Sequence, residues 1–176
     1  MPQNSSQQNI FLVGLMGSGK TTIGRQLARA CDLEFIDSDA EIVARTGAEI
    51  SWIFDIEGES GFRKREKVVI DELTQQGGIV LATGGGSVLD SDNRRALASR
   101  GIVVYISASI DRLFKRTAND KSRPLLNQGD SRAVLQSLQE ARDPLYREIA
   151  DIVIETDDCT VSHAVKQILQ QIQALV

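Results

Sequence analysis

The chain has 176 residues, 41% of them apolar and 25% charged, with a formal net charge of −4 and a sequence pI of about 5.1. That length suits one domain and that apolar content a packed core, which excludes a disordered polymer. The acidic balance and the dispersed lysines and arginines argue against a nucleic-acid partner, and no apolar run approaches the length of a membrane span.

The segment Met1 to Asn9 is polar, with neither an apolar signal core nor the arginines of a transit peptide. It reads as a flexible leader (1–9) before a single domain (10–176), and cytoplasm is the expected compartment. An apolar strand is expected at Ile10 to Val13. Directly behind it, Gly14-Leu15-Met16-Gly17-Ser18-Gly19-Lys20-Thr21 matches the G-x-x-x-x-G-K-[ST] phosphate loop. Thr22 to Cys31 has helical apolar spacing, so the backbone N–H groups of Gly17 to Thr22 and a helix N-terminus converge on one anion site. Lys20 is expected to reach the β- and γ-phosphates of a nucleotide, and Thr21 to offer its hydroxyl to Mg²⁺.

A second strand, Glu34 to Ile36, leads into Asp37-Ser38-Asp39. On extended chain the two carboxylates would face the same side, beside the phosphate loop. One could hold Mg²⁺ or its waters and the other a substrate hydroxyl. Capping of a helix at Ala40 to Arg45 is the plainer role for either. Further on, Phe62, Val69, Ile70 and Leu73 form one helix face, with Arg63, Glu66 and Lys67 elsewhere on the cylinder.

The third strand, Ile79 to Ala82, ends in Thr83-Gly84-Gly85-Gly86 rather than in an acidic residue, which leaves metal duty to Asp37. The three glycines suit either a close approach to a ligand or a plain turn. A fourth strand is expected at Ile102 to Ile106 and a fifth at Ile152 to Glu155. Between them, Asn119 to Ser131 is polar and reads as a mobile lid, with Arg116 before it and Arg123 within it. A helix from Arg132 is expected to bend or restart near Asp143 because of Pro144. Ala164, Val165, Ile168, Leu169 and Ile172 give a last amphipathic helix, near whose start His163, the only histidine, reads as a surface residue. Cys31 and Cys159 lie far apart, outside any Cys/His cluster, and read as packing residues. Strands alternating with helical segments predict a parallel sheet with helices on both faces. Arg63 and Arg142 gain meaning only if they converge, since guanidinium forks grip carboxylates as lysine cannot.

The residues Gly14 to Thr22, Asp37-Ser38-Asp39, Gly58-Glu59 with Phe62-Arg63 and Glu66, Gly84 to Gly86, Arg123-Pro124-Leu125-Leu126, and Arg142 with Tyr146 together resemble the shikimate kinase family of aromatic amino-acid (chorismate) biosynthesis. The likeness runs from about Asn9 to the C-terminus. It implies a three-layer α/β/α fold with a five-stranded parallel sheet, like nucleoside-monophosphate kinases. A substrate-side helical region falls at about 38–66 and a lid at about 119–131. It also implies transfer of the γ-phosphoryl group of ATP to the 3-hydroxyl of shikimate, with Mg²⁺. A monomer with no nucleic-acid or membrane partner is expected. By resemblance, Asp39 binds the acceptor hydroxyls, Arg63 and Arg142 hold the shikimate carboxylate, and the backbone of Gly84, Gly85 and Gly86 lines that site. Glu66 orients Arg63. Lys20 and Arg123 stabilise charge on the moving phosphoryl group, Thr21 ligates Mg²⁺ and Asp37 holds its waters. Arg116 stacks on adenine, with the turn Thr156 to Asp158 closing that pocket. Trp52 is expected to pack. A gluconate kinase would share the phosphate loop without the same arginine clamp. A GTP switch would use Asp55-Ile56-Glu57-Gly58 as its D-x-x-G, yet the chain lacks an Asn-Lys-x-Asp motif.

Overall fold

Every strand-like run forms a strand: β1 (Ile10–Val13), β2 (Glu34–Asp37), β3 (Ile79–Ala82), β4 (Ile102–Ser107) and β5 (Ile152–Glu155). The computed structural model describes residues 7–118, 126 and 130–176. The strands pair in parallel in the order β2-β3-β1-β4-β5. Between them lie α1 (Lys20–Cys31), α2 (Ser38–Thr46), α3 (Ile50–Thr74), a 3-10 turn (Ser87–Leu89), α4 (Ser91–Arg100), α5 (Ile110–Thr117), α6 (Ser131–Ile149) and α7 (Val161–Leu175).

Side-chain alternation along the strands sorts the core into two layers. Phe11, Val13, Leu81, Val103 and Tyr105 pack on one face against Phe62, Val69 and Ile70 of α3, Leu97 of α4 and Tyr146 of α6. Ile10, Leu12, Val80, Val104 and Ile106 pack on the other against α1 and α7. With both faces covered, β1, β3 and most of β4 must be apolar throughout. The edge strand β5 instead alternates, with Ile152 and Ile154 buried and Val153 exposed. No helix among the described residues is long and apolar enough to cross a membrane.

Strand order explains where a ligand can sit. The chain leaves β1 for the β2 edge, returns to β3, then crosses to β4 on the far side of β1. The connections on either side of β1 therefore diverge, opening a crevice beyond the carboxyl ends of β1 and β3. Polar caps fix the helix starts around it: Asp37, Asp90 and Asp130 each accept two backbone N–H groups at the heads of α2, α4 and α6.

Three expectations change. The helix from Ser131 runs unbroken through Pro144 to Ile149. Pro144 is on the solvent side, so the backbone carbonyl deprived of its N–H partner can meet water, while Arg142, Tyr146 and Ile149 anchor the inner face. Trp52 is not a packing residue; it is 63% exposed, on the outer side of α3. The third change is at Asn9, which belongs to the fold rather than to a leader. It is buried, its amide nitrogen donates to Gln76 O (2.6 Å), and its side-chain oxygen accepts from Ile79 N (3.1 Å). Residues 1–6 lie outside the described residues.

Asn9→Ala leaves the N–H of Ile79 and the carbonyl of Gln76 without these partners at the edge of the core. The variant is expected to lose about 1–3 kcal/mol of stability in urea unfolding with an unchanged m-value. A midpoint equal to wild type would show that the bridge contributes nothing.

Candidate active site

A cavity of about 510 Å³ occupies the crevice, lined by the phosphate loop, α2, both halves of α3, Thr83 to Gly86, Arg116 and Arg142. The loop turns through glycines at positive φ, Gly17 at 79° and Gly19 at 100°, the latter serving as N-cap of α1. This conformation is open to glycine at little cost and turns the backbone around an anion-sized space at the head of α1. Lys20 is buried, and its ammonium donates to the carbonyls of Gly14 (2.6 Å) and Leu15 (2.9 Å). Ser18 is buried behind the loop, its hydroxyl 3.5 Å from the same ammonium, whereas Gly17, Gly19, Thr21 and Thr22 face the cavity. Arg116, exposed in the last turn of α5, donates to Gly17 O at 2.9 Å and so borders the loop.

Asp37 and Asp39 both line the cavity, though not as neighbours on extended chain. Asp37 ends β2 and caps α2, its Oδ1 accepting from the N–H groups of Asp39 (2.9 Å) and Ala40 (3.1 Å). Asp39 is already in the helix. The strong capping preference of aspartate starts α2 one residue after the strand and overrides the alternation expected there. Asp37 nonetheless keeps its second oxygen for the loop, accepting from the Thr21 hydroxyl at 3.2 Å. The capping role and the loop-side role therefore coexist in one carboxylate.

On the opposite wall, α3 is broken at Gly58 (φ 72°, ψ 176°), a conformation reserved in practice for glycine. The break lets Ile50 and Phe54, before it, and Phe62, Arg63 and Glu66, after it, face the same space. Arg63 donates to Glu66 at 2.9 Å and to Glu59 at 3.3 Å, and its guanidinium lies 5.2 Å from the centre of the Phe62 ring. Arg142 reaches in from α6, 3% exposed. The two arginines meet at the glycine segment: a side chain at Gly86 would collide with the Arg63 guanidinium, and a Cβ at Gly85 would stand 3.4 Å from Nη1 of Arg142. A Cβ at Gly84 would in turn lie 2.7 Å from Glu66 Oε2 and 2.8 Å from Asp39 Oδ1. The triple glycine is thus a close approach and not a plain turn. Its backbone is fixed by Gly84 N donating to Ser38 Oγ (3.0 Å) and by the Tyr146 hydroxyl donating to Gly85 O (2.5 Å).

Glu66 is 1% exposed, and its Oε2 has no hydrogen-bond partner among the described residues. Burial raises its pKa to about 7; the charge of Asp39 adds to the shift, while Arg63 and Arg142 oppose it. Burial likewise holds the Tyr146 phenol well above its ordinary value, so it remains a donor.

The apolar wall of Val43, Ile50 and Phe54 was not foreseen, although Ile50 and Phe54 stand at i, i+4, the spacing that shares a helix face. The structural parts of Ser38 and Tyr146 were also missed. Arg123 and most of the expected lid (119–125 and 127–129) lie outside the described residues. The turn at Thr156 to Asp158 does not line the cavity; Asp157 accepts from Ser109 N (2.8 Å) and holds the start of α5. The D-x-x-G match is spent on α3 and its break, and Asp55 to Gly58 do not line the cavity either.

The shikimate kinase family model matches residues 16–173. The chain belongs to the shikimate kinase family. It is 56% identical over 168 residues to the shikimate kinase of Shewanella amazonensis, spanning 96% of this chain and 98% of that one. Among solved structures, the shikimate kinase from Acinetobacter baumannii in complex with shikimate superposes with a TM-score of 0.94 at 49% identity, covering 97% of this chain and 95% of that one. A gluconokinase from Sinorhizobium meliloti reaches a TM-score of 0.66 at 18% identity over 97% of this chain and 94% of its own. That likeness is one of fold, which the shikimate kinase family shares with other phosphate-loop kinases.

The raised Glu66 pKa has a measurable consequence. Between about pH 4.5 and 7 the folded protein holds a proton that the unfolded chain has released, so stability falls as pH rises through that window. Urea unfolding at pH 5 and pH 8 should show wild type losing on the order of 3 kcal/mol relative to Glu66→Gln. Parallel pH profiles for the two proteins would contradict the shift.

Proposed function

We propose that this protein transfers the γ-phosphoryl group of ATP to the 3-hydroxyl of shikimate, giving shikimate 3-phosphate and ADP. As a member of the shikimate kinase family it is an ATP-dependent kinase with an alcohol acceptor. The observation that carries the residue assignments is the meeting of Arg63, Arg142 and Asp39 in the cavity that also holds the phosphate loop. An acidic polyol seated there would place its carboxylate on the two guanidinium groups and a hydroxyl on Asp39. The relative from Acinetobacter baumannii binds shikimate, an acid of that description.

In this reading the phosphate loop and the head of α1 hold the phosphates, and Lys20 leaves its loop carbonyls for the β- and γ-phosphate oxygens. Asp39 accepts a hydrogen bond from the acceptor hydroxyl and aims its oxygen at the γ-phosphorus. A new P–O bond forms there as the bond to ADP breaks, and the hydroxyl proton passes to solvent water. A loose phosphoryl transition state asks for alignment and charge compensation more than for a strong base. Arg123 adds positive charge from the lid, and Arg116 borders the adenine. The Thr21 hydroxyl and the Asp37 carboxylate, 3.2 Å apart, are hard oxygen donors suited to Mg²⁺ and its waters, with Asp37 acting through water. When bound there, Mg²⁺ would supply charge neutralisation on the phosphates, held by Thr21 and, through water, by Asp37. The enzyme acts as a cytoplasmic monomer without a nucleic-acid partner.

ADP release coupled to an optical readout tests the assignment: it should require shikimate, and gluconate should not replace it. Gluconate-dependent release without a response to shikimate would overturn the reading. Lys20→Ala should lower kcat by about 10²- to 10³-fold, the range for loss of one group that stabilises transition-state charge. Arg63→Ala should raise the KM for shikimate about ten- to hundredfold while the KM for ATP stays put. An unchanged shikimate KM would remove Arg63 from the substrate site.

A further inference from the structure

Proline inside a helix removes one backbone hydrogen bond and weakens the turn that contains it. In α6 that turn is the one bearing Arg142, two residues before Pro144. Two side-chain hydrogen bonds fix it from outside the helix. Asp143 Oδ1 accepts from the hydroxyl of Tyr105 on β4 at 2.8 Å, and the Tyr146 hydroxyl donates to Gly85 O at 2.5 Å. The two tyrosine rings are 4.9 Å apart, and both side chains are almost wholly buried, so the hydroxyls have little freedom to wander. Tyr146 follows Arg142 by four residues, on the same face of the helix. Its partner Gly85 is the residue whose Cβ would stand 3.4 Å from Nη1 of Arg142. The same peptide segment is therefore gripped by the phenol and approached by the guanidinium.

We propose that Tyr146 is a positioning residue for the acidic group of the substrate, setting the register between the Arg142 turn and the glycine segment 84–86 through its bond to Gly85. Tyr105 supports the same turn through Asp143. The hydroxyl of Tyr146 need not touch the substrate. Its loss leaves the Gly85 carbonyl without that buried donor, and the segment and the Arg142 turn then separate. This inference rests on the reading of shikimate as the substrate.

Tyr146→Phe keeps the ring and removes only the hydroxyl. Steady-state kinetics should show the KM for shikimate raised about three- to tenfold, the KM for ATP unchanged and kcat within about twofold, the scale of one hydrogen bond. Tyr105→Phe should move the same KM in the same direction, and it decides the question if Tyr146→Phe does not fold. Asn9→Ala, destabilised far from the cavity, should melt lower with wild-type KM values, which separates positioning from general loss of stability. In an Arg142→Ala background the effect of Tyr146→Phe on the shikimate KM should shrink to within about twofold, because the residue acts through Arg142. A folded Tyr146→Phe enzyme with wild-type shikimate KM would overturn the proposal, as would a full effect in the Arg142→Ala background. Failure of wild type to use shikimate at all would instead defeat the substrate reading.

Discussion

Two guanidinium groups are held inside a cavity, and the surrounding structure is built to make that tolerable. Removing a charge from water costs several kcal/mol unless opposite charge and hydrogen bonds replace the lost hydration. Arg63 meets this with Glu66 and Glu59, and with the face of Phe62. Arg142, almost fully buried, shares with Arg63 the field of the Glu66 carboxyl. The balance is close: Glu66 is buried deeply enough that its affinity for a proton rises into the neutral range despite two cationic neighbours. With Glu66 drawn toward its neutral form, the negative charge facing the two guanidinium groups is reduced.

Topology brings the parts together. Because β1 is flanked by β3 on one side and β4 on the other, the phosphate loop at the end of β1 and the glycine segment at the end of β3 are neighbours. The anion cradle and the arginine pair consequently share one crevice. The glycines at 84 to 86 carry no side chain because the space is taken by Glu66, Asp39, Arg142 and Arg63. The break at Gly58 lets one long helix contribute both an apolar wall and the first arginine.

Much of this was legible in the sequence where local chemistry dominates. The five strands follow from short apolar runs bounded by turns, and the phosphate loop from a motif whose glycines have a steric reason. Asp37, Asp39, Arg63 and Arg142 were recognisable as a set only through family resemblance; residue spacing alone left open whether the arginines converge. What was misread depends on tertiary context. Capping at this place was readable from the two aspartates, but spacing did not say which of them caps; Asp37 does, which puts Asp39 inside α2 and not on extended chain. Pro144 suggested a bend or restart, yet α6 continues through it, with anchors on either side made to β4 and to Gly85. Trp52 was expected to pack within the substrate-side helical region, but the outward side of α3 leaves it in solvent. Val43, Ile50 and Phe54 come from two helices whose relative placement the sequence does not state.

In the proposed function the paired guanidinium groups of Arg63 and Arg142 recognise the anionic group of the substrate. Calorimetric titration of the wild-type protein with shikimate and with its methyl ester, in which the carboxylate is replaced by an uncharged and slightly larger ester, tests this most directly, and an Arg63→Ala titration with shikimate separates lost charge pairing from the bulk of the added methyl group. The ester should bind at least about 100-fold more weakly, the scale of losing two charge-assisted contacts. Equal affinity for acid and ester would show that the two guanidinium groups do not recognise the carboxylate.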